Sequence, residues 1–136
     1  MKKIALFAIV CATLLLGGCR HEIFEIDYSI GCVGFQSGSI QGSEDEWNTL
    51  FDYFETNVDF NKIVTFDGKS IAEADKKARK YFDEQIEKID AEYVCSLLHS
   101  TDYYDYGIIT QTADGSNRNI KVMRFEESGA HELNVN

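Results

Sequence analysis

The chain has 136 residues, with thirteen Lys and Arg against twenty-three Asp and Glu, a formal charge of −10 at pH 7 and no proline. Its length is that of one domain, and its negative charge repels phosphate backbones, which argues against nucleic acid as a partner. Without proline, turns fall to Gly, Asn, Asp and Ser.

The first stretch, Met1 to Cys19, has three parts. Lys2 and Lys3 are positive, Ile4 to Leu16 is a thirteen-residue apolar and small run, and Gly17 and Gly18 precede Cys19. That layout reads as a secretory signal peptide over residues 1–18. Thirteen helical residues reach roughly 20 Å, short of the ~30 Å hydrocarbon core, so a permanent span is not expected. Leu16-Gly17-Gly18-Cys19 resembles the bacterial lipobox. The resemblance covers these residues alone. It implies that Cys19 becomes the mature N-terminus and carries a diacylglyceryl group on sulfur. Several acyl chains, each buried methylene adding ~0.8 kcal/mol, anchor a protein durably. The implied location is the cell envelope, and the outer membrane where there are two, since Arg20 is not the Asp that resembles a retention signal.

Lys2 and Lys3 leave with residues 1–18 and no acid does, so eleven basic residues face twenty-three acids in the mature chain. The same cleavage removes Cys11, and lipid occupies Cys19. Cys32 and Cys95 remain in a compartment that permits disulfides. Two readings stay open for them: one bridge closing a loop of about sixty residues, worth ~4 kcal/mol in the chain-entropy model, or two separate thiols packed as small apolar side chains.

Residues 19–22 make a short tether, and 23–127 read as one globular domain. Phe24, Ile26, Tyr28, Ile30 and Cys32 alternate with polar or small residues, a half-buried strand. Val33 and Phe35 switch faces, so a bulge or an end is expected near Gly31 or Gly34. Gln36 to Gly42 reads as a loop. Ser43 with Glu46 forms a capping box for a helix whose apolar face is Trp47, Leu50, Phe51, Phe54 and Val58, with a stop near Asn57. Lys62 to Asp67 reads as a short strand before Asp67-Gly68.

Ser70 with Glu73 starts a second helix, expected to run to about Glu92 along Ile71, Ala74, Ala78, Phe82, Ile86, Ile89 and Tyr93. Glu73–Lys77, Asp75–Arg79 and Glu84–Lys88 are placed as i,i+4 pairs on its wet side. Tyr93 to Leu98 reads either as a strand or as a last helical turn. Tyr103 to Thr112 and Arg118 to Glu126 read as strands around the hairpin residues Ala113 to Asn117. Residues 128–136 read as a loose polar tail. The expected architecture is α+β, a mainly antiparallel sheet of four or five strands with two helices packed on one face.

No sequence motif selects a catalytic site. His21 lies in the tether, His131 in the tail, and His99 alone near a strand end. Nucleophile-elbow, zincin, phosphate-loop and dinucleotide patterns are missing, and no cofactor or metal is expected. Asp102, Asp105 and Asp114 carry oxygen ligands that calcium accepts, but without the spacing of a calcium loop. The most suggestive cluster is Asp102-Tyr103-Tyr104-Asp105-Tyr106. Tyrosine rings stack on sugar faces and hydrogen-bond at low entropy cost, so Tyr103, Tyr104, Asp105 and Tyr106 are candidates for a binding surface. The competing reading is ordinary strand composition. In a strand, Tyr104 and Tyr106 share one face, with Tyr103 and Asp105 on the other.

The functional expectation is a lipid-anchored, non-catalytic binding module for a glycan or an envelope protein. Two alternatives are an inhibitor of a cationic hydrolase such as lysozyme, and an enzyme with a dispersed carboxylate site. An exposed aromatic patch around Tyr103 to Tyr106 would mark the binding module. A protruding loop near Gln36 to Gly42 beside an acidic surface would mark the inhibitor. A cleft with converging ionisable groups would mark the enzyme.

Overall fold

A computed structural model describes residues 23–38, 44–112 and 114–135. The export segment, Cys19, the tether, Ser43 and most of the Gly/Ser loop lie outside the described residues.

The elements run β1 (Phe24–Gln36), α1 (Glu44–Asn57), β2 (Lys62–Gly68), α2 (Ile71–Ile86), α3 (Ala91–Ser96), β3 (Tyr103–Gln111), β4 (Asn117–Glu126) and β5 (Gly129–Leu133). The five strands form one sheet in the order β2-β1-β3-β4-β5, and every neighbouring pair is antiparallel. The α+β architecture holds, with three helices instead of two. In β1 the register against β3 shifts between Cys32 and Gly34, so Val33 is the bulge residue at the place where the alternation breaks.

The core forms where helices meet one sheet face. Phe54 of α1 is fully buried, with ring centroids 4.7 Å from Tyr104, 4.9 Å from Tyr106 and 5.7 Å from Phe125. Phe82 of α2 stacks on Tyr106 at 5.4 Å. Ala74 and Ala78 are fully buried, and their missing bulk lets the α2 backbone approach β1 and β2. The link from α1 into β2 is pinned from two sides. Gln85 Oε1 accepts from the Asp59 N–H at 2.9 Å, and the Tyr106 hydroxyl donates to the Asp59 carbonyl. Asn61 then takes a positive φ of 56° and donates its N–H to the Ile30 carbonyl at 2.7 Å.

Three expectations change. The second helix stops at Ile86 instead of continuing to Glu92. Asp90 caps a new short helix by accepting from the Tyr93 N–H at 3.1 Å, while its own N–H donates to the Tyr53 hydroxyl at 2.8 Å. The unbroken apolar seam concealed this, because Ile86 and Ile89 pack against the core on either side of the break. Residues 129–133 are not a loose tail but the edge strand β5, paired with β4 from Val122↔Leu133 to Glu126↔Gly129. Gly129, at φ 136°, makes the tight turn that returns the chain.

The third change is Asp75, placed on the wet side by its spacing from Arg79. It is 6% exposed. It receives the Tyr28 hydroxyl at 2.7 Å and both terminal nitrogens of Arg118, at 2.7 and 3.1 Å. Burial works against its ionisation, but the hydrogen bonds from Arg118 and Tyr28 outweigh that and hold the carboxyl below the ordinary carboxylate range. Nor does Glu73 pair with Lys77. Glu73 accepts from the Lys69 N–H at 2.8 Å, completing the capping box with Ser70, and Lys77 bonds Asp67 at 2.8 Å.

Candidate binding surface

The face assignment for Tyr103 to Tyr106 holds, but the surface they were expected to form does not. Tyr104 and Tyr106 point into the helix-covered face and are fully buried. Burial drives both phenols up, so they stay neutral. On the opposite face Asp105 is 7% exposed, because Arg124 grips it from the facing position of β4 with Nε and Nη2 each at 2.8 Å. The Arg124 guanidinium also lies 3.9 Å from the Tyr103 ring centroid, a stacked arrangement suited to a planar cation. The cluster is sheet core on one side and a cross-strand clamp on the other, so it offers no aromatic platform.

The expected calcium ligands have other partners. Asp102 accepts from the Gly38 N–H and, at 3.0 Å, from the His99 N–H. Asp105 belongs to Arg124. Asp114 is held by Thr112, by the Ser116 N–H at 3.0 Å and by the Ser116 hydroxyl at 2.7 Å. Those hydrogen bonds lower its pKa to about 2.

Cys32 and Cys95 are free thiols and not a bridge. The reason is local. Cys32 lies in β1 beside Gly34, whose carbonyl it meets at 3.5 Å, whereas Cys95 is buried in α3 next to Glu126. Burial pushes both thiols up, so neither is a ready thiolate nucleophile at neutral pH.

A cavity of about 480 Å³ lies between α3 and the β4–β5 turn, and Cys95, Glu92 and Glu127 are among its lining residues. A protonated thiol there gives no activated nucleophile.

The exposed aromatic surface lies elsewhere. Phe35, next to last in β1, is 56% exposed. Its ring is 5.3 Å from Trp47 and 6.2 Å from Phe51, and Trp47 and Phe51 are 5.8 Å apart. Phe51 passes the stack inward to Tyr104 at 5.7 Å, so the outer rings rest on a rigid base. Around them α1 supplies Glu44, Asp45 and Glu46 in its first turn and Asp52 and Glu55 further on, with no basic residue in the helix. His99 joins this end through Nε2, 3.1 Å from the Glu46 carboxylate, whose hydrogen bond and charge raise the imidazole pKa. Trp47, on the apolar face of α1, packs against the edge of the core. It is half-buried, and the switch of face at the Val33 bulge brings Phe35 up beside it. The bulge was legible in the sequence, but its meeting with α1 was not.

This tip sits at the far end of β1 from Ile23. Twelve strand steps at about 3.3 Å separate the two ends by roughly 40 Å. Comparison of the chain with protein-family models, curated proteins and solved structures finds no match.

Proposed function

We propose that the protein is a lipid-anchored envelope protein whose domain binds a basic protein partner through the Phe35–Trp47–Phe51 tip and does not transform it. The observation that carries this reading is the exposed Phe35, backed by two further rings and bordered by a helix whose charged residues are all acidic. Exposed aromatics on a rigid base supply apolar anchor area, and a surrounding acidic field speeds encounter with a cation-rich surface. With Cys19 acylated, the tip stands away from the bilayer, where a partner reaches it. The tip favours a protein over a glycan, because Tyr104 and Tyr106 are buried and the Tyr103 ring is covered by Arg124.

The inhibitor reading uses the same surface. Acidic α1 suits a cationic hydrolase such as lysozyme, and the chain from Ser37 toward α1 begins beside Phe35.

The test compares the detergent-solubilised full chain with its Phe35→Ser variant for capture of envelope proteins at low and high salt. Phe35 is exposed, so the variant is expected to keep its circular dichroism spectrum. A genuine partner is lost roughly thirtyfold on substitution, as at a binding hot spot, and weakens with salt. A captured set indifferent to both changes defeats the proposal. Lysozyme turnover with and without the protein separates the inhibitor from other binders.

A further inference from the structure

The domain is strongly acidic, yet its basic residues are not spread evenly. Lys69, Lys76, Lys77, Arg79 and Lys80 fall within twelve residues, and all five are exposed. Lys77 is taken by Asp67 at 2.8 Å. Lys69, Lys76, Arg79 and Lys80 make no salt bridge among the described residues. Of the two acids inside this stretch, Asp75 is buried and paired with Arg118, and Glu73, exposed, accepts from the Lys69 N–H, so five basic residues outnumber the acids beside them. The cluster begins where β1 begins. Phe24 pairs with Gly68, and Ile23, Lys69 and Lys77 line one cavity of about 280 Å³ together with Asp67, which Lys77 bonds, and Glu73. Two large apolar side chains stand exposed beside it, Ile71 at 51% and Ile23 at 36%.

We infer that this end of the domain, built from Ile23, Lys69, Ile71, Lys76 and Lys80, rests on the anionic phospholipid surface of the membrane. The inference rests on the lipid-anchor reading of Cys19. From Cys19 to Glu22 the tether is four residues, at most about 14 Å of extended chain, so an anchored domain has its β1 start at the headgroups. Phosphates there complement the uncommitted lysines, and the two isoleucines suit the boundary between headgroups and acyl chains. The overall negative charge does not oppose this. Charges are screened beyond about 8 Å at physiological ionic strength, and the acidic tip stands roughly 40 Å away along β1.

The test uses the full chain reconstituted into vesicles of phosphatidylcholine alone or mixed with phosphatidylglycerol. Lysine acylation is read by mass spectrometry, and flotation is followed on the same samples. In anionic vesicles, labelling of Lys69, Lys76 and Lys80 falls roughly fivefold relative to neutral ones, Lys62, Lys88 and Lys121 are unchanged, and high salt abolishes the difference. Lys76→Glu with Lys80→Glu restores labelling of Lys69 while circular dichroism stays the same. Flotation with both vesicle types but equal labelling overturns the surface contact and leaves the anchor standing. Flotation with anionic vesicles alone supports the contact and defeats the anchor; flotation with neither defeats both. Protection of these lysines that requires added envelope protein instead of anionic lipid also overturns the inference.

Discussion

At the residue scale, Asp75 shows how a charge pattern misleads. An Asp four residues before an Arg on a helix is a sound surface pair, but the same side chain also meets Tyr28 from β1 and Arg118 from β4. Asp75→Asn leaves Arg118 without its carboxylate and weakens the bond from Tyr28. Breaking a fully buried pair costs 3–5 kcal/mol; the Arg118 side chain is 40% exposed and rehydrates, so about 2–3 kcal/mol is expected in urea unfolding. Because the folded pKa of Asp75 is depressed, its contribution is present above the unfolded carboxylate value, ~3.9, and is lost as pH falls through the folded value. Asp75→Asn is therefore expected to flatten the acid limb of the stability–pH curve. His99 has the opposite sign. Its raised pKa means that its bond to Glu46 stabilises the fold below the unfolded imidazole value and is lost as pH rises through the folded one. An NMR titration is expected to place the His99 midpoint above ~6.5, and Glu46→Gln to bring it back.

At the element scale, the strand and cap signals served well and the long seam did not. Ser70 and Glu73 form the expected reciprocal cap. The alternation from Phe24 to Cys32 puts Tyr28 and Ile30 in the core and fails at Val33, where the register slips. Inside a helix expected to reach Glu92, Asp90 is one more polar residue, although Asp is also a strong N-cap. Choosing between those roles needed Tyr53, which receives the Asp90 N–H from another helix. β5 was missed because Gly129-Ala130-His131-Glu132-Leu133 has little apolar content. What recruits it is the open edge of β4, whose unpaired backbone groups seek partners. Truncation after Ser128 is expected to cost about 1–3 kcal/mol from Leu133 and Ala130 alone. It also re-exposes that edge, so light scattering during refolding is expected to rise.

At the scale of the whole molecule, the charges and apolar groups make two unlike ends. α1 holds five acids and no base, while Lys69 to Lys80, running from the turn beside the start of β1 into α2, holds four lysines and an arginine. Under the proposed anchoring at Cys19, a short tether turns that asymmetry into an orientation, basic end to the bilayer and aromatic tip outward. Cys19→Ala is expected to move the protein from the membrane to the soluble fraction, which fractionation checks directly; continued membrane residence would count against the anchor.

Periodicity and caps by themselves determined the α+β class, the four strands whose side chains alternate or run apolar, the bulge near Gly34 and the starts of both long helices. Each is a local property, set by neighbours within a few residues. Only the tertiary structure decided that Tyr104 and Tyr106 are core, that Asp75 is buried, that the two thiols stay apart and that Phe35 meets Trp47. These depend on which distant side chain arrives opposite, and that follows from how strands pair and where helices settle. Spacing along the chain carries no record of it.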